Sequence, residues 1–262
     1  MNQKLPFPPL EMRQLVGPTD LSEFENPFGD LIFKDYSIPA EAYKSILDFG
    51  CGCGRNARKI MQQEIKPEKY VGIDLHSGMI NWCQKNLTPY NNNFSFAHYD
   101  IYNVGLNPDS KENFRQFPLS DSEFSLVFAI SVFTHIVEDL VVDFLKECLR
   151  VMTPDSYFVS TWFLFDKKYF PMMQEFQNSL YINLKDPTNA VIYDYQWLFN
   201  LCQEIGLTPV SAFKPKVKGF QWTVVFRSSA LGLTPCDLPE DSNEFGIIRA
   251  IADVANPHQI GL

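Results

Sequence analysis

Apolar positions change their spacing several times along the chain, and each change predicts an element. Residues 1–40 are rich in Pro and aromatic side chains with no sustained period, which predicts an irregular cap with one short helix. From Lys44 the run Lys44-Ser45-Ile46-Leu47-Asp48-Phe49 is short, largely apolar and halted by glycines, as a buried strand is. Gly50 to Gly54 then read as a turn and Arg55 to Glu64 as a helix. Tyr70 to Asp74 is a second strand ending in an acid, with Ser77 expected to cap the helix that buries Ile80, Cys83 and Leu87. Phe94 to Asp100 alternates and again ends in Asp; residues 102–122 are a long polar loop; Phe124 to Ile130 is a nearly continuous apolar strand. Leu140, Val141, Phe144, Leu145, Cys148 and Leu149 make a single stripe on a helix from Glu138 to Met152, which Thr153-Pro154-Asp155-Ser156 breaks before a strand from Tyr157 to Phe163. Trp197 to Ile205 is a helix stopped by Gly206, and Leu207 to Phe213 and Gln221 to Arg227 are the last strands.

Strand, turn and helix repeated in this order predict an α/β fold: a doubly wound, seven-stranded, mostly parallel sheet with helices on both faces. The expected organisation is a cap over 1–43, a sheet domain over 44–229 and a tail over 230–262 with one helix near Ile247 to Val254. Residues 164–192 hold Phe165, Tyr169, Phe170, Met172, Met173, Phe176 and Tyr181, too apolar for a solvated loop, and are expected to form an aromatic lid with one helix. Ligands of such sheets sit at the carboxyl ends of the strands, where strand order reverses. The glycine turn and the two strand-end acids are therefore expected to converge.

Charge and composition narrow the function. Lys+Arg 22 against Asp+Glu 31 gives −9, a sign that repels phosphate backbones and argues against nucleic-acid partners. The longest apolar stretch, Leu126 to Phe133, is broken by Ser131, so no membrane span is expected, and residues 1–20 carry Glu11, Arg13 and Pro rather than an apolar signal. Cys51, Cys53, Cys83, Cys148, Cys202 and Cys236 are scattered without a C-x-x-C or nearby His, which predicts no metal site, no disulfide framework and a cytoplasmic protein. With 23 Phe and 15% aromatic residues the chain has ample material for a pocket that takes a flat or apolar ligand.

Gly52-x-Gly54-x-x-Ala57 matches a dinucleotide fingerprint, and Asp74 lies where a nicotinamide enzyme places its ribose acid, so an oxidoreductase is one reading. Asp48, just ahead of Gly50, favours a ligand with a cationic amino group and no pyrophosphate, and Asp100 stands where an adenine amino group would be met. At this point the segments ILDFGCGCGRNARKI, YVGIDLHSGMINWC, FPLSDSEFSLVFAISVFTHI and LKECLRVMTP resemble, in order and spacing, the motifs of class I S-adenosylmethionine-dependent methyltransferases. The resemblance covers residues 44–163 strongly and, more weakly, Gln221 to Arg227, which resembles the family's antiparallel last strand. It implies S-adenosylmethionine as cofactor, a small-molecule acceptor, and named roles. Gly50, Cys51, Gly52 and Gly54 would let the backbone approach the cofactor, and Asp48 would meet its amino end. Asp74 would accept the ribose hydroxyls, Leu75 and Met79 would pack on the adenine, and Asp100 with the Ile101 N–H would bind the base. Ile130 and Ser131 would line the sulfonium end. Ser125 and Pro154-Asp155-Ser156 depart from the family pattern.

The acceptor side is less specific. His135 follows the fourth strand, and an imidazole there can take a proton from an acceptor hydroxyl or simply hold the loop. Trp162, Phe163, Tyr193 and Gln221 are expected acceptor contacts, with core or lid packing as the competing role. O-methylation of a hydroxyl or carboxyl of a metabolite, sugar or peptide-like product is the leading expectation. N-methylation of a small amine and a catalytically silent cofactor-binding subunit are the alternatives.

Overall fold

A computed structural model describes residues 4–215, 220–228 and 232–239, and contacts divide the chain into two compact units. The first comprises residues 1–129 and 150–157, the second 130–149 and 158–262.

In the first unit β1 (Ser45–Phe49), β2 (Lys69–Asp74), β3 (Phe94–His98) and β4 (Phe124–Ala129) form a parallel sheet in the order β3-β2-β1-β4. Chain order runs outward from β1 to β3 and then returns to β4 on the other side of β1. The reversal between β1 and β4 is the point beside which ligands bind in such sheets. β1, β2 and β4 are buried on both faces: Ile46, Leu47, Tyr70, Ile73, Leu126, Val127 and Phe128 are all at or near zero exposure, which is why their sequences read as runs, whereas β3 alternates buried and exposed positions. The crossovers are α2 (Arg55–Gln62) and α3 (Ser77–Asn86). Glycine is required beneath α3's partner strand at Gly72, where a Cβ would stand 2.8 Å from the Phe96 ring and 2.9 Å from Cys51 Sγ.

The N-terminal residues contribute α1 (Leu10–Leu15) and three single-turn 3-10 helices at Leu21–Phe24, Lys34–Tyr36 and Ala40–Lys44. They are tied to α2 by side-chain amides: Gln62 Oε1 accepts from Asn26 N, and Gln63 Oε1 accepts from Ile32 N. Ser125, the departure from the family pattern, ties β4 back to this segment by donating to the Ala42 carbonyl while accepting from Ser45 N.

The second unit contains most of α4 (Glu138–Val151), the later part of β5 (Met152–Phe165), β6 (Ser179–Tyr181), β7 (Val191–Asp194), α5 (Tyr195–Glu204), β8 (Thr208–Phe213) and β9 (Trp222–Arg227). β5 and β7 are parallel, β6 and β7 antiparallel, and β9 is antiparallel to β8 as expected of the last strand. The described residues thus carry nine strands, the two beyond the expected seven being β6 and β7. Both come from the stretch expected to be a lid with a helix. Between residues 164 and 192 the structure has strands and two 3-10 turns, Lys167–Tyr169 and Pro187–Asn189, with no α-helix. The apolar residues there pair on strands, Phe165 and Ile192 forming a core with Phe163, Phe170, Met173, Leu180 and Ile182. The break expected at Thr153 to Ser156 is a bend inside β5, with Asp155 at φ 59°, the left-handed region that a glycine would occupy more easily. The helix expected near Ile247 to Val254 lies outside the described residues.

Candidate functional site

The turn after β1 is built on left-handed backbone: Gly50, Gly52 and Gly54 have φ of 80°, 53° and 78°. Gly50 N and Cys51 N both donate to the Ile73 carbonyl at the end of β2, at 2.8 and 3.1 Å, and Gly54 N closes the turn on the Cys51 carbonyl. Asp74 completes the arrangement. Its Oδ2 accepts from Gly52 N and its Oδ1 from His76 N, each at 2.8 Å. Burial raises this carboxyl's pKa, and the two backbone N–H groups oppose the rise. Each oxygen keeps a lone pair beyond its backbone bond, which is what two vicinal hydroxyls need.

Asp48 lies at full burial one strand away. Its Oδ2 accepts from the Tyr70 hydroxyl at 2.6 Å, while Oδ1 has no hydrogen-bond partner. Burial pushes this carboxyl up to about 7, the Tyr70 hydrogen bond lowers it in part, and Asp74 raises it further. An orphaned buried carboxylate oxygen is costly, and a cationic donor placed against it removes the penalty. The same oxygen repels a pyrophosphate. The acceptor set therefore fits a ligand that brings an ammonium group and a ribose, as S-adenosylmethionine does.

This has a measurable consequence. A carboxyl with a folded pKa near 7 and an ordinary value of 3.8 binds more protons folded than unfolded between those values. Its contribution to stability is full below the ordinary value and is lost as pH rises towards about 7. A cationic ligand demands the ionised form, so its binding at about pH 6 should release close to one proton from Asp48. Calorimetric titration with S-adenosylmethionine in buffers of differing ionisation heat should show that release, with affinity climbing up to about tenfold per pH unit between about 5 and 7. Buffer-independent heats, or the same release in Asp48→Asn, would exclude Asp48 as the partner.

The other expected cofactor residues lie on and beyond the ends of β2 and β3. Met79 is buried with Phe24 and Cys53. Leu75 offers its carbonyl to His98 Nε2 at 2.9 Å. The cap of α3 is His76, whose Nδ1 accepts from Met79 N, and Ser77 is the first helical residue. Asp100 lies two residues beyond the end of β3 and is solvent-exposed. Asn107 donates to its Oδ1 at 2.9 Å and, together with Ser110, holds its pKa below the usual value. The Ile101 N–H, expected to donate to a base, donates here to the Tyr99 carbonyl at 2.9 Å. Cys51 and Cys83 are buried thiols, each donating weakly to the Gly52 carbonyl, and burial pushes both pKa values up, which suits fillers rather than nucleophiles.

The acceptor-side residues lie in the second unit. Ser131, just past β4, sits at φ 58°, a strained conformation for a non-glycine residue. Its N–H donates to Thr161 Oγ1 at 2.7 Å and its hydroxyl donates to Gln221 Oε1 at 3.0 Å. Gln221's amide nitrogen therefore remains as the donor end. Ile130 is half-buried beside it. His135 is exposed, and its Nδ1 lies 2.8 Å from the Thr188 carbonyl. A carbonyl only accepts, so Nδ1 carries the proton and Nε2 presents a lone pair.

Trp162 and Tyr193, expected as acceptor contacts, are packed into the core of the second unit. Both are fully buried: Trp162 donates to Ser160 Oγ and stacks on Phe133 at 4.4 Å, while the Tyr193 hydroxyl donates to the Ile136 carbonyl. They form the aromatic platform beneath the turn that carries His135. Phe163 is half-buried in the insert core. Sequence reasoning missed Thr161 and Thr188, which act through contacts about 30 and 53 residues away in the chain and leave no periodic signal.

One polar cavity of about 530 Å³ lies elsewhere in the first unit, lined by Gln116 to Asp121, Glu123 and Arg150. Arg150 is spent there on Asp121 and on the Leu119 and Phe117 carbonyls. Among the described residues no group of three His, Cys, Asp or Glu side chains is arranged to hold a metal, and no helix is long and apolar enough to cross a membrane.

Comparison with known proteins finds similarity to methyltransferases. Residues 47–160 match the family model described as a methyltransferase domain. A fatty-acid O-methyltransferase of Mycolicibacterium smegmatis (strain ATCC 700084 / mc(2)155) is 27% identical over 118 residues, covering 45% of this chain and 36% of that protein. The match thus spans only about a third of the relative's length. Among solved structures, an S-adenosylmethionine-dependent methyltransferase from Mesorhizobium loti superposes with a TM-score of 0.52 at 12% identity, covering 74% of this chain and 94% of that one. The geranyl diphosphate C-methyltransferase of Streptomyces coelicolor A3(2), solved with Mg2+, geranyl diphosphate and S-adenosyl-L-homocysteine, gives a TM-score of 0.50 at 10% identity, with 71% of each chain covered. At these identities the structural likeness speaks for the fold.

Proposed function

We propose that this chain, whose residues 47–160 match the methyltransferase-domain model, is a class I S-adenosylmethionine-dependent enzyme that O-methylates a hydroxyl or carboxyl group of a small organic acceptor. Asp48 would hold the amino end of the cofactor, Asp74 the ribose, and the glycine turn the approach of the chain to both. When bound, the sulfonium supplies an electrophilic methyl group whose leaving group is a neutral thioether. The protein's task is then alignment, exclusion of water and, for an alcohol, removal of one proton.

The observation that carries the reading is the tautomer of His135. With Nδ1–H held by the Thr188 carbonyl, Nε2 is free to accept a proton from an acceptor hydroxyl. Gln221's amide nitrogen supplies a donor for an acceptor oxygen, its own oxygen being engaged by Ser131. A carboxylate needs no base and would use the same donor. Two features support an acceptor with an apolar portion: the insert exposes Met172, Phe176 and Leu184, and the curated relative methylates fatty acids. Methylation of a small amine is the second reading, since an unprotonated amine also dispenses with a base.

Thermal-shift measurements with S-adenosylmethionine, S-adenosylhomocysteine and NAD test the cofactor. A rise with the first two and none with NAD is expected. Transfer of labelled methyl from S-adenosylmethionine to panels of fatty acids, hydroxylated metabolites and amines then tests the acceptor. His135→Ala is expected to lower kcat for an alcohol about a hundredfold, leave cofactor affinity within about twofold, and spare a carboxylate acceptor. Unchanged turnover on an alcohol would leave His135 a loop anchor only.

A further inference from the structure

One buried guanidinium holds both ends of the N-terminal segment. Arg58, on α2 just beyond the glycine turn, is 1% exposed. Its Nε donates to the Pro6 carbonyl at 2.9 Å, Nη2 to Leu5 at 2.9 Å and Nη1 to Phe24 at 2.6 Å. Glu25 lies 3.4 Å from Nη2, and the Phe7 ring centroid is 3.9 Å from Cζ. The chain from Pro6 to Phe24 is therefore a loop whose two ends meet on a single side chain, in the manner of an Ω-loop of slightly unusual length.

The loop is braced within itself and laid on the cofactor residues. Arg13 Nε donates to the Pro8 carbonyl at 3.1 Å and Nη1 to the Thr19 carbonyl, crossing the loop from side to side. Its inner face, Phe7, Met12 and Val16, packs on Phe24, Cys53 and Met79. Val16 Cγ1 is 2.7 Å from where a Cβ on Gly52 would stand, with Met79 Sδ at 3.8 Å from the same point. Outwardly the hold is slight. No residue of α1 is buried, and Leu10 and Leu15 face solvent. The segment is thus a roof over the glycine turn, pinned at its base and otherwise resting on a few apolar contacts.

We propose that Arg58 is a positioning residue for the cofactor: by pinning both ends of residues 6–24 it keeps Met12 and Val16 closed over Gly52 and Met79 and so sets how fast the bound nucleoside leaves. The inference rests on the first unit being the cofactor site. Arg58 itself touches none of the residues assigned to the cofactor's polar groups, so its effect is expected in residence time rather than in the methyl-transfer step.

The test measures dissociation of S-adenosylhomocysteine by stopped flow from the full-length wild type, Arg58→Gln and Arg13→Ala, with hydrogen exchange of the same samples. Arg58→Gln is expected to speed dissociation about tenfold or more and to strip protection from the amides of residues 6–24, while those of β1, β2 and β4 keep theirs. KM for S-adenosylmethionine should rise while kcat at saturation changes little. Arg13→Ala, at a partly exposed position, should speed dissociation several-fold and decides the matter if Arg58→Gln does not fold. Released 6–24 amides with wild-type dissociation rates would overturn the proposal. If the wild type binds neither S-adenosylmethionine nor S-adenosylhomocysteine, the cofactor site falls and this inference with it; normal wild-type binding with unchanged rates in both variants removes this inference alone.

Discussion

Replacing Asp74 by Ala should reduce affinity for S-adenosylmethionine by about a hundredfold or more, below detection in a standard calorimetric titration. Two effects add. A hydrogen bond to a charged acceptor contributes about 1.5–3 kcal/mol, and two ribose hydroxyls would each lose one. The same carboxylate also holds the site's own backbone, accepting from Gly52 N and His76 N. Removing it leaves two partly buried donors unpaired at roughly 1–3 kcal/mol each and frees the glycine turn from the end of β2. Asp74→Ala should accordingly lower the melting temperature as well. Asp74→Asn separates the two roles. Its amide oxygen can satisfy one backbone donor, so it should recover part of the stability and little of the affinity. Undiminished binding in both variants would remove Asp74 from the site.

Gly52→Val should be comparably severe for a different reason. Gly52 sits at φ +53°, a region that costs a β-branched residue about 1–3 kcal/mol, and its Cβ would stand 2.7 Å from Val16 Cγ1. The backbone cannot keep its conformation and the cap above it cannot keep its place. We expect a fall in melting temperature of roughly 5–10 °C and loss of measurable cofactor binding. The partner change Val16→Ala discriminates between strain and collision. It should return part of the lost stability by giving the new side chain room, without restoring affinity, because the φ remains unfavourable. Gly17→Ala, at φ +99° with nothing within 4 Å, carries the backbone strain alone and should leave cofactor affinity near wild type. If Gly52→Val bound S-adenosylmethionine normally, close backbone approach at this turn would be refuted.

The glycine turn and its acids were legible because their chemistry is local. Gly50, Gly52 and Gly54 occupy three left-handed positions within five residues, and Asp48 and Asp74 terminate or nearly terminate neighbouring strands paired in register. The insert was misread for an equally physical reason. Its aromatic and aliphatic positions suit either a helix or short strands, and only pairing of β7 with β5 and β6 chooses between them. Trp162 and Tyr193 could not be assigned from sequence because large aromatics serve pockets and cores alike; the structure adds the Ser160 and Ile136 partners that satisfy their polar atoms. Asp100 and Ile101 lie in a turn where short-range bonds to Asn107 and Tyr99 compete with any ligand.

Periodicity and the placing of glycine and acid along the chain by themselves determined a parallel α/β sheet, a left-handed glycine turn after its first strand, and carboxylates at or near the ends of two neighbouring strands. These depend on residues near one another in sequence or on neighbouring strands, so they are written locally. Tertiary structure alone decided that Asp48 keeps one oxygen without a partner, that Thr188 sets the tautomer of His135, and that Arg58 gathers the N-terminal loop over Gly52. Each of these is a contact between distant parts of the chain, and what it does depends on burial and on which lone pairs or donors are left over once folding has used the rest.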